Sequence, residues 1–210
     1  MNKNYYSRYS ESSIGRSLTT LIPFIGTSID IFVTNKASEI QNKRMNDYFE
    51  ILNKKIENIT LVNKNNEEMY DIFLKTSSGA MKTRLADKRK YYSELFKKNL
   101  TIENSNENSR IELMIQILDS LEEIHLNILK FSYEEDKVHK EISMFQKDSN
   151  SNIKSYFKTD SDENINIADM ATLTMLVNGL LLVGKNGGTR PYGSYKLSNL
   201  GLEFTKWILS

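Results

Sequence analysis

Residues 179–207 read GLLLVGKNGGTRPYGSYKLSNLGLEFTKW. The glycine-rich centre, GKNGGTR, is either a phosphate cradle or the tip of a hairpin, and the choice decides the fold. A phosphate loop of the Walker type needs GxxxxGK followed by Ser or Thr, after a strand and before a helix. Here Lys185 follows the first glycine of the loop, and neither GK[ST] nor GxGxxG occurs. Short apolar runs flank the loop, Leu180–Val183 before it and Ser194–Leu197 after it. Two such runs separated by Gly, Asn and Pro predict a β-hairpin with a long tip.

Upstream, Asn178-Gly179 is a helix stop. It closes a helix predicted over Ile167–Val177 with Asn166 as its cap. Downstream, Ser198 is placed to cap a last helix, with Phe204, Trp207 and Ile208 facing inward. Further back, Ile153–Phe157 predicts a short helix. Ser120-Leu121-Glu122-Glu123 fits a capping box that opens a buried helix running to about Phe131. Residues 132–152 are charged and read as irregular.

The order helix, GLL strand, turn, YxL[ST]xxG strand and terminal helix resembles the winged-helix domain, over about residues 120–210. The resemblance places Ile167–Val177 in the position of the recognition helix. It makes Lys185, Arg190 and Lys196 of the hairpin the candidate nucleic-acid contacts. Winged helices often read DNA through a major-groove helix, with Lys and Arg on the phosphates supplying much of the affinity. INIADMATLTMLVNG has no Lys or Arg and one acid, Asp169. An apolar helix there predicts burial or a protein contact, and exposure of Met170, Thr174 and Val177 discriminates between groove and core.

The chain has 210 residues, of which 39% are hydrophobic, enough for one domain or two small ones. With two prolines, Pro23 and Pro191, long helices are allowed between them. An apolar stripe through Ile29, Val33, Ala37, Ile40, Tyr48, Leu52, Ile56 and Ile59 predicts one helix, with Lys43, Asn46, Glu50, Asn53 and Glu57 opposite. A second starts near Glu67 with Met69, Ile72 and Phe73 buried, and Ser77-Ser78-Gly79 reads as a break. A third carries Met81, Leu85, Tyr92, Phe96 and Leu100. After the polar TIENSNENS, Ile111, Met114, Ile115 and Leu118 mark a fourth. The fold expected is mainly α: a polar tail over residues 1–12, a helical region over 13–118, and a winged-helix-like region with one β-hairpin over 119–210.

The net charge of +1 gives no global field toward nucleic acid or an anionic membrane. Charge is uneven: residues 1–100 carry 17 Lys/Arg against 11 Asp/Glu, and residues 101–150 carry 5 against 11. The opposed signs predict complementary faces or solvated helix surfaces. The absence of cysteine excludes disulfides and thiolate metal sites. MNKNYYSRYSES lacks the apolar core of a secretion signal, so a cytoplasmic protein is expected.

Catalytic and metal patterns fail one by one. DSDENINIADMA has Ile165 and Ala171 where a calcium loop needs Gly and Glu. Glu122-x-x-His125 and Asp136-x-x-His139 have the spacing of a di-metal carboxylate site, but two further inward glutamates are needed. With only these two histidines, no Ser–His–Asp arrangement forms. No catalytic residue, metal or cofactor is expected. KTRLADKRKYYSELFKK, residues 82–98, interleaves bases with aromatics, a pattern of RNA or phosphate binding or of a solvated helix face.

IGRSLTTLIPFIGTSIDIFV, residues 14–33, is the most apolar stretch. Arg16, Pro23 and Asp30 interrupt it, so a transmembrane span is not expected. It reads as a buried helical hairpin. Alternatively it is an interfacial membrane segment through Leu21, Ile22, Phe24, Ile25, Ile29 and Phe32.

The order of parts resembles the abortive-infection alpha proteins and related bacterial and phage-borne proteins. It comprises an IPFIG start, AMKTRLADKRKYYSELFKKNL, IELMIQILDSLEEIHLNILKF and LVNGLLLV…YKLSNLGLEFTKWI. The resemblance implies phage defence or a mobile-element role. It carries no catalytic motif, so a non-enzymatic protein acting through protein partners or self-association is expected. A DNA-binding regulator and a membrane-acting effector are the alternatives.

Overall fold

The computed structural model describes residues 39–56, 66–101, 106–141, 162–183 and 195–209. Seven helices and two three-residue strands make up these residues, so the described chain is mainly helical. In order they are α1 (Glu39–Ile56), α2 (Asn66–Lys82), α3 (Ala86–Thr101), α4 (Asn106–Ser120), α5 (Glu123–Glu141), α6 (Asp162–Val177), β1 (Leu181–Val183), β2 (Tyr195–Leu197) and α7 (Asn199–Leu209). The described residues divide into two units, one up to Asp119 and one from Ser120 to Leu209.

In the first unit α1, α2 and α3 pack against one another in all three pairings. The α1 stripe buries Tyr48, Leu52 and Ile56 as the period predicts, and adds Met45 and Phe49. Ile40, at the first turn of the same stripe, is exposed. An aromatic chain crosses the bundle. Phe49 stacks on Phe73 at 6.1 Å, and Phe73 meets Phe96 edge-on at 5.4 Å. Each buried ring contributes about 1.5–3 kcal/mol by removal from water. Tyr48 brings a hydroxyl into this core. The Thr76 hydroxyl donates to the Ile72 carbonyl at 3.0 Å, which leaves Tyr48 to donate to Thr76, also at 3.0 Å. Burial pushes the Tyr48 phenol far above its ordinary value.

The break predicted at Ser77-Ser78-Gly79 does not occur, and α2 runs through to Lys82. Ser77 folds its hydroxyl back onto the Phe73 carbonyl, so its polar group is satisfied inside the helix. Gly79 lies where the Tyr92 ring presses on α2, and a methyl group there would overlap that ring. The glycine therefore marks a close helix approach rather than a stop.

Basic side chains of α1 and α3 close the carboxyl ends of α2 and α4. Arg44 donates to the Met81 and Lys82 carbonyls at 3.2 and 3.0 Å. Arg89 donates to the Thr83 and Arg84 carbonyls at 3.3 and 3.4 Å and pairs with Asp47 at 3.2 Å. Lys88 reaches the Asp119 carbonyl at 3.3 Å. Helix ends leave carbonyls without intrahelical partners, and cations there also meet the negative end of the helix dipole. In α4, Ile111, Met114, Ile115 and Leu118 are buried as predicted. Asn108 links Glu68 of α2 at 2.5 Å and Asn99 of α3 at 3.1 Å.

In the second unit α5 packs on α6, α7 and β2. It extends ten residues past Phe131, to Glu141, so the start of the stretch read as irregular is helix. Its cap also lies two residues later than predicted. Ser120 completes α4, whose end is held by Lys88 on the Asp119 carbonyl and by Tyr92 on the Asp119 carboxylate. The first helical bond runs from Leu126 to the Glu122 carbonyl at 3.2 Å, which makes Glu122 the cap residue. The Glu122 N–H donates to His125 Nδ1 at 2.8 Å. His125 thus takes the place that Glu or Gln holds in a capping box, three residues beyond the cap.

β1 and β2 pair antiparallel in the register Leu181↔Leu197, Leu182↔Lys196 and Val183↔Tyr195. The two apolar runs of the stretch that opened the sequence question thus pair as antiparallel strands, and α7 follows the second; residues 184–194 between them lie outside the described residues.

Candidate interaction surface

The carboxyl half of α6 is the surface with the least ordinary chemistry. The helix begins at Asp162, a turn before the predicted Ile167, so Asn166 lies inside it and does not cap it. The stop at Asn178-Gly179 is as predicted. Gly179 has φ +69°, the left-handed conformation a side chain disfavours. Its N–H bonds the Leu176 carbonyl at 2.9 Å, and the Leu180 N–H bonds the Met175 carbonyl at 2.9 Å. This is a Schellman ending, and Met175 and Leu180, the two residues it brings together, are both buried.

Ser198 ties this ending to α7. Its N–H bonds the Leu180 carbonyl at 2.9 Å, its hydroxyl donates to the Gly179 carbonyl at 2.5 Å, and its Oγ accepts from the Gly201 N–H at 2.8 Å. The cap predicted at Ser198 is therefore present, and it also anchors the α6–β1 turn. Gly201 faces the Leu180 carbonyl so closely that any Cβ would overlap it. The spacing Leu197-Ser198-x-x-Gly201 thus has a physical cause: a cap, then a glycine one turn on where backbone meets backbone.

With its carboxyl end fixed, α6 packs on α5 and β1 and buries Ala171, Thr172 and Met175. Met170, Leu173 and Val177 point outward, 71%, 60% and 80% exposed. Their spacing of three and four places them on one face over two turns. Thr174 on the same side is partly exposed and donates its hydroxyl to the Met170 carbonyl at 3.0 Å. The Asn178 amide donates to the Thr174 carbonyl at 2.9 Å. No ionisable side chain occurs from Met170 to Asn178. Single exposed apolar residues are ordinary, but three on one face form a patch. Leu182 of β1 is also exposed.

The other sequence candidates distribute as follows. Lys196 lies in β2 opposite Leu182. Lys185 and Arg190 lie outside the described residues, as do Leu21, Ile22, Phe24, Ile25, Ile29 and Phe32. Of the bases in residues 82–98, Lys88 and Arg89 are buried on carbonyl oxygens, Lys90 pairs with Asp87 at 3.3 Å, and Lys97 pairs with buried Glu94 at 3.6 Å. Glu94 also pairs with Lys55. The reading of this segment as one solvated face is corrected at Lys88 and Arg89. Two of its cations are interior helix clamps, because α3 runs between open helix ends. His125 is buried with Nδ1 occupied by the Glu122 N–H, which removes that nitrogen from the Glu122-x-x-His125 metal pattern. Among the described residues no three His, Asp or Glu group to hold a metal ion, and no described helix is long and apolar enough to cross a membrane.

Comparison of the chain with protein-family models, with curated proteins and with solved structures finds no match.

Proposed function

We propose that this chain is a non-enzymatic interaction protein of phage defence or its regulation, working in the cytoplasm through the outward face of α6. The observation that carries the proposal is the apolar stripe Met170, Leu173 and Val177, held outward on a helix whose carboxyl end is fixed. Burying such a stripe against a partner is favourable at about 25 cal/mol per Å² of apolar area removed from water. Residues 119–210 are read as winged-helix-like, with α6 in the recognition position. What supports that order is the succession of α6, hairpin and α7 and the Ser198–Gly201 junction. The assignment to phage defence draws on the layout resemblance alone. The test is pull-down from infected and uninfected cells beside phage plating, for wild type and Leu173→Asp. A specific partner and reduced plating for wild type, both lost in Leu173→Asp, are expected. Unchanged plating on deletion of the gene sinks the proposal.

A second function, a DNA-binding regulator, is favoured by one observation: residues 170–177 present a side to solvent rather than to the core. It would use Lys185, Arg190 and Lys196 on phosphates, with apolar contacts from α6 to thymine methyls. Binding would then weaken with salt and fall when the three bases are changed to Ala. Mobility shifts without retardation at low salt exclude it.

A further inference from the structure

We infer that the corner where α1 meets the α2–α3 link is a docking surface for the phosphate backbone of a nucleic acid. This corner lies in the first unit, and the inference is independent of the α6 face. Packing sorts the bases of KTRLADKRKYYSELFKK into two sets. Lys88 and Arg89 are buried on carbonyl oxygens, and Lys90 and Lys97 pair with carboxylates. Lys82 and Arg84 are exposed, and neither pairs with a carboxylate among the described residues.

α1 brings two more cations to the same place. Arg44 lies on the Met81 and Lys82 carbonyls, and Asp47 holds Arg89 against the Thr83 and Arg84 carbonyls. The turn of α1 from Arg44 to Asp47 therefore runs along residues 81–84. Lys43, four residues before Asp47, stands on the same side of the helix and is exposed. Neither Lys43 nor Arg44 pairs with a carboxylate among the described residues. The acids of these stretches are Glu39, Asp47, Glu50 and Asp87, of which Asp87 is taken by Lys90. Five cations, Lys43, Arg44, Lys82, Arg84 and Arg89, thus stand against the three acids Glu39, Asp47 and Glu50. The carbonyls that Arg44 and Arg89 bond accept hydrogen bonds but cancel no charge, so the corner stays positive.

What accompanies the charge sets the kind of partner. Of the large exposed apolar side chains, Ile40 alone belongs to these stretches. Protein interfaces draw their strength from buried aromatic and apolar anchors. A phosphate backbone needs none, because cations that replace its counterions supply the affinity. The guanidinium forks of Arg44 and Arg84 match phosphate oxygens, and Lys43 and Lys82 act as point charges. Tyr91, Tyr92 and Phe96 are buried, so the aromatics of the segment offer no platform for stacking bases. Binding through this corner is therefore indifferent to base sequence.

The test is fluorescence anisotropy of a labelled oligothymidylate and a labelled duplex with the full chain, from about 50 mM to about 200 mM salt. With four phosphate contacts, the single strand is expected to bind about 50-fold more weakly at the top of this range and the duplex about 150-fold. Lys43→Ala, and Lys82→Ala combined with Arg84→Ala, are expected to flatten the salt slope by about one per residue changed, at wild-type circular dichroism. Lys206→Ala, on an exposed lysine of α7, is expected to leave binding unchanged. Absence of binding at the lowest salt overturns the inference. So does binding that ignores the corner variants, whether or not it is lost when Lys185, Arg190 and Lys196 are changed to Ala. Flotation with phosphatidylserine vesicles without oligonucleotide binding overturns nucleic acid as the partner.

Discussion

The helices α3 and α6 invert ordinary surface chemistry in opposite directions. In α3 the cations Lys88 and Arg89 are buried, while in α6 the apolar Met170, Leu173 and Val177 are exposed. The buried cations find partners inside their own unit: Lys88 on the Asp119 carbonyl near the end of α4, and Arg89 on the Thr83 and Arg84 carbonyls of the α2–α3 link and on Asp47, with only its Nε left unbonded. Among the described residues the exposed apolar stripe has no such internal account, since Thr174 and Asn178 satisfy only the helix backbone. A basic-aromatic segment can thus be structural, and an apolar helix can be the part that faces outward. What separates them is whether the side chain's chemistry is satisfied within the fold.

The largest effect is expected where backbone meets backbone. Gly201→Ala drives a methyl into the Leu180 carbonyl and should destabilise the second unit by about 3 kcal/mol, as overpacking does. Trp207, the chain's single tryptophan, lies in α7, so its fluorescence transition on heating reports this unit. An unshifted transition would mean that the junction yields. Arg89→Ala should cost about 2 kcal/mol, since it strands two carbonyls and Asp47 in a part-buried setting. Far-UV circular dichroism on heating measures it. A loss below about 0.5 kcal/mol, the range of ordinary surface changes, would return Arg89 to a solvated face and dissolve the contrast with α6.

Alkaline pH probes the α1–α3 core from another side. Tyr48 is raised by burial and Tyr92 by burial and by its bond to the Asp119 carboxylate, so the fold favours both neutral phenols. Their contribution is complete below the unfolded value near 10 and declines as pH rises through and beyond it. The slope is about 1.4 kcal/mol per pH unit for each phenol held neutral while its unfolded counterpart ionises. Tyrosinate absorbance should leave Tyr48 and Tyr92 silent until unfolding. Titration of either in the folded chain would contradict this. His125→Ala removes the acceptor for the Glu122 N–H and should cost about 1 kcal/mol, with Gln restoring part of it. Equal stability of the Ala and Gln variants would show that the cap is not made through the side chain. Smallest of all, Leu173→Asp should move thermal stability by no more than about 0.5 kcal/mol. A larger loss would place Leu173 in a core after all.

Where a single residue's chemistry was decisive, it was legible in the sequence. Asn178-Gly179 demanded a left-handed stop, Ser198 a cap and the flanking apolar runs a hairpin, and each is present. Tyr48, Leu52 and Ile56 of the α1 stripe and the whole α4 stripe followed from period, whereas Ile40 is exposed and Ile29, Val33, Ala37 and Ile59 lie outside the described residues. Misreadings arose where a neighbour overrode a local signal. Ser77-Ser78-Gly79 reads as a break until Tyr92 needs the space above Gly79. Ser120 reads as a cap until α4 claims it, and a histidine standing in for the usual Glu or Gln hid the cap at Glu122. The α6 face was hidden for a different reason. Apolar residues stand on every side of MATLTMLV, so periodicity names no outward stripe, and only packing on α5 and β1 selects one.

The most direct measurement is site-specific photo-crosslinking in cells, with a photoreactive phenylalanine analogue placed at Leu173 and, as control, at exposed Ile40 of α1. A protein-contact role for the α6 face predicts a discrete adduct from position 173, at twice the chain mass or at chain plus partner, and none from position 40. Crosslinks absent from position 173, or identical from both positions, would contradict it.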